Sequence, residues 1–77
     1  MTISVAGMGH NQTGIVVQIK AGYGLVRRLE TMGIRLGVTI SKRSAQLLHG
    51  PVTVQVGRAE LALGFGIAQR ILVEVQQ

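Results

Sequence analysis

The sequence predicts a mainly β domain folded as a small barrel, and three observations carry that prediction. Five short runs of alternating apolar and polar residues recur along the 77-residue chain. Turn-forming residues separate them, and one segment alone trades the period of two for a helical period. Alternation puts every second side chain on one face of a sheet, and the abundant β-branched residues favour the pleat. Several short strands punctuated by turns point to a barrel rather than to a flat sheet.

The first run covers residues 15–20, where Ile15, Val17 and Ile19 form one face and Val16 falls on the outward phase. Next, Leu25, Leu29 and Met32 recur at i, i+4 and i+7. That spacing predicts a short helix with Arg27, Arg28, Glu30 and Thr31 outward. Gly33 stands where the helix C-terminus needs a positive φ, and Gly22-Tyr23-Gly24 leads in. A second strand is expected over 38–41. The loop 44–50 follows, carrying Leu47 and Leu48, either tucked beneath the loop or available to a partner. Pro51 opens a third strand over 52–56, a place where proline removes no interior ladder bond. Gly57-Arg58 reads as a two-residue turn of type II′, leading into a fourth strand over 60–63. A helical turn is expected around 65–69 and a fifth strand over 71–75. Leu72 shares the outward phase with Val16, and the two could form a homodimer patch.

Composition bounds the function. Hydrophobic residues make up 47% and charged residues 14%, which excludes a disordered chain. With only Tyr23 and Phe65 as aromatics, the core must be aliphatic. The absence of cysteine removes disulfides, thiolate nucleophiles and cysteine metal sites, and favours a cytoplasmic location. The N-terminal stretch lacks the charged start and apolar run of a signal peptide. The longest uncharged apolar stretch, 61–68, is far short of the roughly 20 residues that cross a bilayer. A single domain over 1–77 is expected. A net charge of +5 suits an acidic partner, nucleic acid or an anionic surface.

Catalytic chemistry is poorly provided for. The Gly-x-Gly pairs at 7–9, 22–24 and 64–66 lack a third glycine and the βαβ setting of a dinucleotide site. There is no Asp, and Glu30, Glu60 and Glu74 are dispersed, so neither a carboxylate pair nor a triad can be assembled from neighbours in sequence. His10 and His49 show no ligand spacing with each other or with a glutamate. The expectation is a non-enzyme with no cofactor and no dedicated metal site. Two other readings stay open: a small RNA-binding barrel, and a domain that binds a transition metal ion directly through His and Glu.

Read together, the elements resemble the FeoA family of bacterial ferrous iron uptake. The similarity runs from about Gly14 to Val75. Gly14-Ile15 precedes the first strand, and Arg28-Leu29, Met32-Gly33-Ile34 and Gly37 look like the family's RL-x-x-(L/M)-G-(L/I/V)-x-x-G. Gly50-Pro51-Val52, the hairpin at Gly57, Leu61-Ala62-Leu63, Ala68 and Ile71-Leu72-Val73 follow in the family's order. The chain departs at Gly64-Phe65-Gly66-Ile67, where relatives carry charge, and in its glycine-rich N-terminus. The resemblance implies an SH3-like five-stranded β-barrel with one short α-helix between the first two strands. It implies an accessory protein that docks on the cytosolic region of FeoB, a membrane transporter with a GTP-hydrolysing domain. Tyr23, Arg27, Arg28, Leu47 and Leu48 are the candidate partner-binding residues, Arg28 being equally suited to tie the helix to a loop carbonyl. Leu25, Leu29, Met32, Gly33, Gly37 and Pro51 are the candidate structural residues.

Overall fold

A computed structural model describes residues 1–44 and 48–76. Six strands form one antiparallel sheet in the order β1-β6-β2-β3-β4-β5. They are β1 (Thr2–Ser4), β2 (Thr13–Ile19), β3 (Thr39–Lys42), β4 (Val52–Val56), β5 (Ala59–Leu63) and β6 (Ile71–Val75). Helix α1 (Tyr23–Thr31) joins β2 to β3, and the single-turn α2 (Phe65–Ala68) joins β5 to β6. The expected five strands are therefore six. The N-terminal stretch, in which no strand was expected, contributes β1, which pairs Ile3 with Val73 on β6, followed by a 3-10 turn at Val5–Gly7. Three residues are too few to show alternation, which is why the strand was invisible. The helix consequently lies between the second and third strands.

The core is aliphatic, as composition requires. Leu29, Ile34, Ile40, Val52, Val54, Ile71 and Val73 are fully buried, joined by Val5 and Met8 from the N-terminal arm. In β4 the alternation works as expected, with Val52, Val54 and Val56 inward. The other end of the hairpin agrees too: Gly57 has φ +60° and Arg58 is not among the residues with positive φ, the combination of a type II′ turn.

β2 has the opposite phase from the one expected. Val16 is buried, while Ile15 and Val17 are 48% and 45% exposed. Two features cause this. Gly14 lies on the inward phase, so close to β6 that a Cβ there would sit 2.9 Å from Val73 Cβ and Val75 Cγ1. The register then slips between Val16 and Gln18, a bulge that returns Ile19 to the inner side. The supposed homodimer patch of Val16 and Leu72 does not exist, since Val16 is core and Leu72 is half-buried.

Along α1, Leu29 is buried and Leu25 half-buried against the core. Met32, expected in the same stripe, is 39% exposed. The helix ends at Thr31, and Met32 is its C-cap at φ −91°, ψ 2°, outside the helix whose stripe it was expected to extend. Gly33 and Gly37 have φ of +91° and +88°, the left-handed region that favours glycine. Pro51 stands just before β4, as expected.

Candidate functional site

The outer face of α1 is built by the sequence spacing itself. Tyr23 and Arg27 are separated by four residues, one helical turn, so their side chains meet. The Arg27 guanidinium donates to Tyr23 Oη at 2.9 Å and lies 5.4 Å from the ring centroid. A cation over an aromatic face in this geometry holds both side chains in one arrangement. Tyr23 is nevertheless 74% exposed. The pair is an ordered, amphipathic surface with an apolar ring and unspent guanidinium donors.

Arg28 is exposed on the last turn, where its charge suits the negative end of the helix dipole. Among the described residues its guanidinium makes no hydrogen bond or ion pair, while its carbonyl accepts from Thr31 Oγ1 at 2.6 Å. The tie to a carbonyl that Arg28 could have supplied comes instead from Arg35, whose guanidinium donates to the Glu30 carbonyl at 3.3 Å.

The second candidate region is the loop before β4. Leu47 lies outside the described residues. Leu48 is 93% exposed, so it is not tucked beneath its loop. It and His49 occupy left-handed backbone, φ 53° and 59°, which costs a leucine steric strain. The His49 ring stacks on Phe65 of α2, centroids 4.4 Å apart and 17° from parallel. That stack braces the turn from which Leu48 projects. Among the described residues no recorded contact joins Leu48 to Tyr23 or Arg27.

Lys42 escaped notice. It reads as one of a basic pair with Arg43, yet it is buried. Its ammonium donates to the Met8 and Ala6 carbonyls at 2.8 and 3.1 Å, pinning the N-terminal arm to β3. Burial pushes its pKa below the usual lysine range. The period of two contained the signal: Ile40 is inward, so Lys42 must be inward as well.

Acidic groups are few. The Glu74 carboxylate accepts hydrogen bonds from the Met1 ammonium and, at 2.7 Å, from Thr2 Oγ1. Those bonds, the ammonium first, hold its pKa below the usual carboxylate range. No group of three or more His, Cys, Asp or Glu able to hold a metal ion occurs among the described residues.

A family model for the FeoA domain matches residues 3–75. The chain belongs to the FeoA family. A protein of Methanocaldococcus jannaschii named as an Fe(2+) transport protein A is 38% identical over 60 residues, covering 78% of this chain and 71% of the relative. The crystal structure of an iron uptake regulatory protein, FeoA, superposes with a TM-score of 0.88 at 33% identity, covering 99% of both chains. A manganese-dependent transcriptional repressor contains the same fold, with a TM-score of 0.87 at 24% identity over 97% of this chain and 42% of the repressor. At that identity the second likeness concerns the fold alone. As a FeoA-family member the chain is a small SH3-like β protein associated with ferrous iron transport.

Proposed function

We propose that this FeoA-family chain is a cytoplasmic accessory protein of ferrous iron uptake, acting by protein–protein contact with the cytosolic region of a FeoB-type transporter. The observation that carries this reading is the Tyr23–Arg27 pair. Tyrosine and arginine are enriched at binding hot spots because they combine large contact area with directional donors. Here both are exposed, and their mutual contact reduces the side-chain entropy lost on binding. Arg28 beside them and the projecting Leu48 complete the candidate contact set, with Leu47 its neighbour in sequence. No helix among the described residues is long and apolar enough to cross a membrane, so the proposed route to a transporter is docking. The role requires no catalysis by the chain itself.

The test is a folded Tyr23→Ala/Arg27→Glu variant titrated against the transporter's cytosolic region. Loss of a hot spot of this kind weakens binding by about tenfold or more, roughly 1.4 kcal/mol. An unchanged affinity removes α1 from the interface. Steeply salt-dependent binding of the wild type to single-stranded RNA, with none to the transporter, would favour the RNA-binding reading.

A further inference from the structure

The sheet has two outer strands, and they are protected to different degrees. β1 is three residues long, whereas β5 runs for five and ends the pairing order. The hairpin geometry determines which backbone groups of β5 remain open. Val56 and Ala59 flank a two-residue turn, so they form a hydrogen-bonded pair, and pairs alternate from there. Val54–Leu61 and Val52–Leu63 are bonded, while Gln55–Glu60 and Thr53–Ala62 are not. The neighbouring strand agrees: the Thr53 carbonyl accepts from Arg43 N at 2.7 Å, and Thr53 N donates to Ser44 Oγ at 3.0 Å, both away from β5. The N–H and C=O groups of Glu60 and Ala62 therefore point out of the sheet, and neither residue has a hydrogen bond beyond β4 among the described residues. Both residues are exposed, and Leu61 between them, though on the core side, is only half-buried.

We infer that β5 is the seam of a homodimer, in which β5 of a second copy adds antiparallel across a two-fold axis at Leu61. In this register Glu60 and the partner's Ala62 exchange two N–H···O=C bonds, and the symmetric pair exchanges two more. On the core side Leu61 meets the partner's Leu61, and Ala59 meets the partner's Leu63, so every pair there is apolar. On the outer side Glu60 meets an alanine. A register centred on Glu60 would oppose two like charges, which destabilises a strand pair. An occupant must offer an apolar residue opposite Leu61 and a small one opposite Glu60, and β5 itself does both. The only charge on this strand is one glutamate, and the nearest basic residue, Arg58 in the preceding turn, falls at the end of the seam opposite a glycine of the partner. An unprotected edge without proline, lysine or a bulge is a ready template for such pairing.

Because the chain has no cysteine, a single introduced thiol is an unambiguous reporter. At the two-fold, Leu61 and its symmetry mate form a non-hydrogen-bonded pair with Cα atoms about 4.5 Å apart, within disulfide reach. Leu61→Cys should crosslink under mild oxidation several-fold faster than Ala62→Cys, which faces Glu60 in this register. Equal rates, or a faster Ala62→Cys, would overturn the register. Ala62→Pro removes an outward N–H without touching a bond to β4, so it should stay folded by circular dichroism and lose association. The wild type, which needs no substitution, should show a concentration-dependent monomer–dimer equilibrium by analytical ultracentrifugation. A strictly monomeric wild type at millimolar concentration, or a folded Ala62→Pro variant that associates as strongly as wild type, refutes the seam.

Discussion

β2 and β4 both read as alternating strands, yet only β4 buries the face that its pattern suggests. In β4 three valines point inward and Thr53 and Gln55 separate them, so polarity and phase agree. In β2 the run Ile15-Val16-Val17 is apolar on both phases, and pattern alone has no way to choose between them. The choice is made by Gly14, whose missing side chain lets β6 approach, and by the bulge that follows Val16. Period is a local property of a sequence, whereas phase belongs to the pairing of two strands. A one-residue change of phase exchanges core for surface.

The sharpest way to break this comparison is to place a charge on each phase. Val16→Asp and Val54→Asp should each bury an unpaired carboxylate, costing about 3–5 kcal/mol and leaving little folded protein in a domain this small. Val17→Asp should stay within about 1 kcal/mol of wild type, because its side chain reaches water. Denaturant midpoints decide the matter: a folded Val16→Asp with an unfolded Val17→Asp would reverse the assigned phase of β2.

A smaller effect sharpens the explanation. Gly14→Ala adds a methyl group 2.9 Å from side-chain atoms of both Val73 and Val75, which are core residues. Overpacking of this kind costs about 1–3 kcal/mol. If urea titration shows no loss, close approach at Gly14 does not set the phase, and the bulge alone does.

The smallest expected effect concerns β3, where the inward phase carries a lysine. Burial lowers the pKa of Lys42 in the folded state, so the unfolded chain binds more protons in the window between the folded pKa and the usual lysine range. Stability should therefore rise with pH across that window. A neutral amine keeps two N–H donors, enough for the Ala6 and Met8 carbonyls. The difference in stability between wild type and Lys42→Met should grow in favour of wild type as pH increases toward the lysine range. A flat difference across alkaline pH would mean that burial exerts no electrostatic cost.

Much of this molecule was determined along the chain. Strands β3 to β6, the helix at Leu25 and Leu29, the positive φ of Gly33 and the turn at Gly57 all follow from neighbours within a few residues. Tyr23 and Arg27 meet for the same reason, because a four-residue separation is one helical turn. The tertiary structure decided what depends on partners distant in sequence. β1 exists only because β6 supplies its ladder, and three residues carry no pattern of their own. Val16 is core because of valines some 60 residues away, and Lys42 is buried because its ammonium meets the Ala6 and Met8 carbonyls of the N-terminal arm. The open groups of β5 likewise follow from where the sheet stops. Local sequence sets torsions and periods, but burial is defined only once surfaces from separate parts of the chain meet.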